Sequence, residues 1–282
     1  MDTPRQSQEA RAQTLFGLSP GETSTDPFGY LVDLAAHPDA LRLLFERDSA
    51  PSYDLLYLYS GYREEAQAGP LLIEPLSDEC DIWLKDYLQH AKALALYGAN
   101  LTVQQAGQHL ASLNTVQTPW GSSLFRYADP SSLRSLGPSL DPAQRQRILG
   151  PFTAIRGYYA NQGWALHYLD DIQPGHGMDT SGPLTLSDHN FRAAEDFRKG
   201  LLAKAIAESG KRSPELTEQW FRQLEGLGAP SEQALVEGAE ILIRAALTRP
   251  LTESELSRVR TSGKVWSDRL EALALINQQE GS

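Results

Sequence analysis

Apolar positions in the first half of the chain form two patterns, short and nearly continuous runs and longer stretches with helical spacing. The continuous runs cover residues 28–33, 53–59, 71–74, 93–97 and 124–127. Runs of this length that are bounded by glycine, proline or polar residues are typical of buried strands. After His37, Asp81 and Thr102 in the sequence, apolar residues recur every three to four positions, which predicts amphipathic helices. Strands that alternate with helices predict an α/β N-terminal lobe, in which a mixed sheet is flanked by helices.

The junctions within residues 122–157 carry their own capping signals. Asp129-Pro130 and Asp141-Pro142 each place a good N-cap before a proline, which suits the first position of a helix. Gly137 and Gly150 are expected to end the two helices that start there. The order predicted for this stretch is therefore strand, helix, helix, strand.

Helical spacing continues from residue 187 to the end of the chain, which predicts a smaller all-α C-terminal lobe. The residues in front of it are rich in proline and glycine and predict a linker. The predicted organisation has four parts: a polar N-terminal arm (1–26), an α/β lobe (27–172), a linker (173–186) and a helical lobe (187–282).

Net charge, hydropathy and cysteine content indicate which partners and which cellular compartment to expect for this protein. The net charge is −11 and no basic stripe occurs, so neither nucleic acid nor an anionic membrane is expected as a partner. No apolar run approaches the roughly 20 residues of a membrane span, and the polar start of the chain predicts no secretory signal. Cys80 is the single cysteine, which excludes an intrachain disulfide. Together these features predict a cytoplasmic protein.

Residues that could carry chemistry are concentrated between His167 and His189. The cluster consists of good zinc or manganese ligands: His167, Asp170, Asp171, His176, Asp179, Asp188 and His189. Their spacing matches no metal motif, and a polar hairpin end that leads into a linker explains the same residues. No nucleophile elbow and no phosphate-binding loop occurs in the sequence. We therefore expect no catalytic residue, no cofactor and no metal, with a metal-dependent hydrolase that uses this cluster as an alternative.

Three other residues admit either a catalytic or a structural interpretation, and the structural one is favoured for each. Asp129 is placed to cap a helix, and Arg126 could pair with it or with carbonyl groups at the end of the sheet. His109 stands beside the apolar residue Leu110 and is expected to be a hydrogen-bonded histidine at the edge of the core.

The residues between 108 and 151 resemble a family pattern. That pattern is a helix ending in His-Leu-Arg, a polar turn, Phe-Arg-Phe-Tyr-Asp-Pro-Arg-Val-Leu and then Leu-Gly-Pro. The matching positions are His109, Leu110, Phe125, Arg126, Tyr127, Asp129, Pro130, Leu133, Gly150 and Pro151, with Thr118-Pro119-Trp120-Gly121 as the turn. The chain departs from the pattern at Ala111, Ala128 and Ser131. On these motifs, residues from about Phe28 to Gly157 resemble the DUF4123 family of bacterial type VI secretion adaptors.

The resemblance implies a non-enzymatic adaptor or chaperone. Such a protein would bind a cognate toxic effector and help to load it onto the VgrG spike of a type VI secretion system. The motif residues would then be structural or would face a partner. Besides the metal-dependent hydrolase, an immunity-type inhibitor that blocks the active site of a toxin is a further alternative.

Overall fold

In the computed structural model of the protein, residues 26–159, 162–168 and 182–276 are described. Their strands are β1 (Gly29–Asp33), β2 (Ser52–Leu55), β3 (Pro70–Glu74), β4 (Ala93–Tyr97), β5 (Thr115–Thr118), β6 (Gly121–Leu124), β7 (Ala154–Tyr159), β8 (Gln162–His167) and β9 (Leu184–Thr185). Their α-helices are α1 (Ala40–Arg47), α2 (Asp78–Gln89), α3 (Val103–Ala111), α4 (Pro130–Leu136), α5 (Pro142–Leu149), α6 (Asp188–Gly210), α7 (Pro214–Gly226), α8 (Glu232–Arg244), α9 (Glu253–Ser262) and α10 (Trp266–Ala274). The fold class is as predicted, a sheet region flanked by helices that is followed by an all-helical region.

Two sheets make up the first region. The larger sheet has the strand order β2-β3-β1-β4-β7-β8, and all its neighbours are antiparallel. The smaller sheet has the order β6-β5-β9, in which β5 and β6 form an antiparallel hairpin and β9 runs parallel to β5. Strand β6 is therefore an edge strand.

Strands β1, β3 and β4 of the larger sheet are buried on both faces, which explains their nearly continuous apolar runs. Tyr30 and Val32 of β1 pack in a cluster with residues of α1 and α2. Leu31, the residue between them, packs on the opposite side with residues of α3, α4 and α5. Because neighbouring residues of a strand point to opposite faces, a strand covered on both faces must be apolar throughout.

The all-helical region has a core of its own, in which Trp220, Phe221 and Leu224 of α7 pack against residues of α6, α8, α9 and α10. The described residues divide into two compact units between Ala194 and Glu195, inside α6. None of the helices within the described ranges is both long and apolar enough to cross a membrane.

Several predicted elements differ in detail from the structure. The apolar run after β2 is not a strand, because residues Leu56–Tyr59 form a 3₁₀ helix. The predicted strand at 124–127 is wrong beyond Leu124, where β6 ends and the chain turns towards α4. Helix α2 begins earlier than expected, since Ser77 and not Asp81 caps it by accepting a hydrogen bond from the Cys80 N–H.

Part of the predicted linker and nearly all of the predicted N-terminal arm lie outside the described residues. The end of the linker differs from the expectation, because Leu184–Thr185 forms β9 and pairs with β5. Leu184 and Leu186 are buried in the core of the first unit. These side chains are apolar at alternate positions, which is the pattern of a strand with one covered face.

Candidate partner-binding site

His109 lies at the C-terminal end of α3 and contacts the segment that follows α5. Its Nε2 lies 3.0 Å from the carbonyl oxygen of Ile148, so the neutral ring donates a hydrogen bond there. Its ring also meets the ring of Phe152 edge-on, with 5.9 Å between centroids. Burial lowers the pKa of His109 from 6.5 to about 4, so the ring is uncharged near neutral pH. His109 is thus a neutral, hydrogen-bonded histidine at the edge of the core.

Gly150 provides the surface on which the His109 ring lies. Its φ is +54°, a conformation that favours glycine, and it ends α5. A β-carbon at this position would lie 2.1 Å from Cε1 of His109. The Gly150 carbonyl oxygen accepts a hydrogen bond of 2.6 Å from the hydroxyl of Tyr168. Pro151 follows and is half-buried. The His-Leu and Leu-Gly-Pro motifs are therefore parts of one packing arrangement.

Phe125 and Tyr127 are both buried and belong to the core, with 5.8 Å between their ring centroids. The Tyr127 hydroxyl donates a hydrogen bond of 2.9 Å to the side chain of Asn114. Asn114 in turn donates one of 3.0 Å to the carbonyl oxygen of Leu56. This buried chain of polar contacts fixes the segment after β6 against the 3₁₀ helix at residues 56–59.

Asp129 is the N-cap of α4, as predicted. Its Oδ1 accepts a hydrogen bond of 2.9 Å from the Ser131 N–H, and its Oδ2 accepts one of 2.9 Å from the Ser132 hydroxyl. Pro130 occupies the first position of the helix, and Leu133 is buried one turn later. The side chain of Asp129 therefore has a structural role at the start of α4.

Arg126 pairs with a residue that the sequence interpretation did not consider. The expected partners were Asp129 or carbonyl groups at the end of the sheet. Instead its Nη2 lies 2.5 Å from Oδ2 of Asp33, at the end of β1. The Asp33 side chain is 8 % exposed, whereas the Arg126 side chain is 51 % exposed. The buried carboxylate therefore holds a guanidinium that still faces outwards, and this contact raises the pKa of Arg126.

A groove of about 350 Å³ opens beside this ion pair. Its walls include Asp33, Tyr57, Tyr62, Glu65, Leu124 and Arg126. The rings of Tyr57 and Tyr62 lie 5.5 Å apart, and Leu124 is 42 % exposed. Tyr57 is buried, so a side chain of a protein partner would contact the half-buried Tyr62, Leu124 and the half-exposed guanidinium of Arg126.

The motif residues thus separate into two groups. Leu110, Phe125, Tyr127, Pro130 and Leu133 are buried in the core. Arg126 alone among the ten has a side chain more than one-third exposed, which makes it the motif residue best placed to touch a partner. Sequence interpretation missed Asp33, although a carboxylate at the end of a buried strand was the available signal.

The predicted metal cluster is only partly described. Asp170, Asp171, His176 and Asp179 lie outside the described residues. Of the remaining members, His167 and His189 are exposed. Within the ranges that the structure describes, no three His, Cys, Asp or Glu side chains are grouped so that they could hold a metal ion.

The chain was also compared with known proteins. No curated protein and no solved structure matched it. A protein-family model did match over residues 30–147. This region contains β1 except for its first residue, β2 to β6, both partners of the Arg126–Asp33 pair and most of the motif residues. Residues 30–147 are thus similar to the family described as "Domain of unknown function (DUF4123)".

Proposed function

We propose that the protein is a non-enzymatic adaptor, which binds a cognate toxic effector and helps to load it onto the VgrG spike of a type VI secretion system. The match of residues 30–147 to DUF4123 carries the proposal. The adaptor role itself is what the resemblance of the motifs to that family implies. The cytoplasm is the compartment in which such loading would take place.

The arrangement of the chain is compatible with two partners. Each of the two units has a separate apolar core and therefore offers its own surface. A stable interface of ordinary size buries about 800 Å² on each partner. A chain of 31.1 kDa has room for two such interfaces.

The proposed mechanism is stoichiometric binding rather than turnover. Bound to the adaptor, the effector gains stability by mass action, because the adaptor binds the folded state and not the unfolded one. Apolar and aromatic side chains at the surface would supply the contact area. Leu76 and Tyr59 are each more than half exposed. Release at the spike then ends the cycle.

Co-expression with the effector and the spike protein encoded by neighbouring genes tests the proposal. The complexes are separated by size exclusion, and their masses are measured by light scattering. The proposal predicts a complex of adaptor, effector and spike, in which the toxin keeps its activity in a direct assay.

The two alternatives give different results in the same preparation. An inhibitor would abolish the activity of the toxin and would not bind the spike. A metal-dependent hydrolase would contain a stoichiometric transition metal that survives dialysis and is lost in His167→Ala and His176→Ala. Either result would contradict the proposal that the protein is an adaptor.

A further inference from the structure

The β5–β6 hairpin is an uncharged surface on an acidic protein. From residue 93 to residue 125 the sequence contains no Asp, Glu, Lys or Arg, although charged residues make up 22 % of the chain. The hairpin lies within this stretch, and all four residues of β6 are exposed. Much of the stretch is buried core, but the exposed residues of β6 lie within it and carry no charge. The centre of a protein interface is likewise depleted of charged residues.

Strand β6 has an open hydrogen-bonding edge. Phe125, just beyond its end, donates its N–H to the Asn114 carbonyl oxygen at 3.0 Å. Residues of an antiparallel strand alternate between those that bond to the neighbour and those that point away from it. By this alternation the backbone groups of Ser122 and Leu124 point away from β5. Within the described residues, no hydrogen bond reaches these outward groups.

Within the part of the chain that the structure describes, β6 lacks the usual protection of an edge strand. Native proteins protect such edges with charged side chains, proline, bulges or a covering element. Residues Gly121–Leu124 contain neither a charged residue nor a proline. By contrast, β2 at an edge of the larger sheet carries Asp54. An unprotected edge is a template for the addition of a strand.

Two exposed apolar side chains mark the ends of this edge. Trp120, at the tip of the hairpin, is 72 % exposed, and its ring lies 5.2 Å from that of Phe191. Tryptophan is the residue type most enriched at energetic centres of interfaces. At the other end, Leu124 borders the groove beside Arg126. A strand added to β6 would therefore have an aromatic anchor at one end and a pocket for a side chain at the other.

We propose that an extended, uncharged segment of the spike protein adds to β6 as a fourth strand of the small sheet, with Trp120 packed against it. This inference rests on the proposed function. The spike is favoured over the effector because β6 lies within residues 30–147, the part that matches the family, and loading onto the spike is the task that adaptors would share. A second copy of the chain is disfavoured, since it would bring a like net charge of −11.

Binding of purified VgrG spike protein to the full chain tests the inference, with effector binding measured in parallel. Ser122→Pro removes an outward N–H that β5 does not use. Ser122→Lys places a charge on the edge and leaves the backbone intact. Trp120→Ala removes the anchor. Ile82→Ala, at a side chain that is 68 % exposed on α2, is the matched control.

We expect Trp120→Ala to weaken spike binding by about thirtyfold or more. Both Ser122 variants should weaken it by at least tenfold, on the order of the loss of one or two good contacts. Ile82→Ala should leave it within about twofold. Effector binding and the melting temperature should stay at the wild-type level in all four variants.

Other outcomes separate this inference from the proposed function. If the wild type binds the spike and the edge variants bind it equally well, the inference fails and the adaptor proposal stands. Loss of effector binding instead of spike binding would assign β6 to the effector and overturn the inference. If the wild type forms a dimer and Ser122→Lys dissociates it, a second copy of the chain binds at β6, and the inference is overturned. If the wild type binds neither protein, both proposals fail.

Discussion

Substitution of Gly150 by alanine tests the packing that joins the His-Leu and Leu-Gly-Pro motifs. Alanine at φ +54° would occupy a conformation that L-residues rarely adopt. A single residue in such a conformation costs about 1–3 kcal/mol. The added β-carbon would also lie 2.1 Å from the His109 ring, which the Ile148 carbonyl and Phe152 hold in place. Overpacking of this kind costs about 1–3 kcal/mol more. The expected loss of unfolding free energy is therefore about 2–6 kcal/mol.

A double-mutant cycle separates the two contributions. In the His109→Ala background the ring is absent, so Gly150→Ala introduces only the backbone strain and should lower the unfolding free energy by about 1–3 kcal/mol. The matched control is Gly121→Ala. Gly121 has φ +117°, but a β-carbon there would meet no atom within 4 Å, so only the backbone contribution applies. Urea unfolding followed by circular dichroism on the full chain gives all of these free energies.

One result of the cycle would contradict the coupling between Gly150 and His109. If Gly150→Ala costs the same with and without the His109 ring, the two residues are not coupled, and the ring does not explain the glycine at position 150. A cost for Gly150→Ala no larger than that of Gly121→Ala would lead to the same conclusion.

Three other predictions concern Asp129, His109 and Arg126. Asp129→Ala should lower the unfolding free energy by about 0.5–2 kcal/mol, and Asp129→Asn by less, since asparagine is also a good N-cap; equal thermal stability of both variants and the wild type would contradict the capping role. The pKa of His109 is about 4 in the folded protein and 6.5 ordinarily, so its contribution to the unfolding free energy is complete above pH 6.5 and is lost as the pH falls towards 4. The loss amounts to about 2–4 kcal/mol. In urea unfolding between pH 6.5 and pH 4, the free energy of the wild type should therefore fall more steeply with falling pH than that of His109→Gln, and equal pH dependence of the two proteins would argue against this role. Arg126→Ala should lower the unfolding free energy by about 1–3 kcal/mol, between the values for surface and buried ion pairs, because Asp33 stays buried without its cation. Adding Asp33→Asn to this variant should recover part of the lost free energy, and no recovery would show that the ion pair is not the cause.

Features determined by neighbouring residues could be predicted from the sequence. The caps at Thr102, Asp129 and Asp141 each depend on a hydrogen bond to a group two or three residues further along. Strands β1, β3 and β4 were recognisable because a strand buried on both faces is apolar throughout.

Features that depend on distant residues were not predicted. Arg126 and Asp33 are 93 positions apart, and only the order of strands in the folded sheet brings them together. Strand β6 also escaped prediction, because its sequence, Gly-Ser-Ser-Leu, has almost no apolar content and forms a strand through its hairpin with β5. The apolar residues that follow were taken for the strand, although Phe125 and Tyr127 are apolar because they are buried in the core.

An adaptor must bind effector and spike at the same time, and ordered addition of purified components measures simultaneous binding. The adaptor is first saturated with the effector, and the spike protein is then titrated while both complexes are followed by size exclusion with light scattering. We expect the effector-bound adaptor to bind the spike with an affinity within about tenfold of that of the free adaptor, a coupling of at most about 1.4 kcal/mol. Displacement of the effector in proportion to the spike added would mean that the two proteins compete for one surface, and it would contradict the adaptor model.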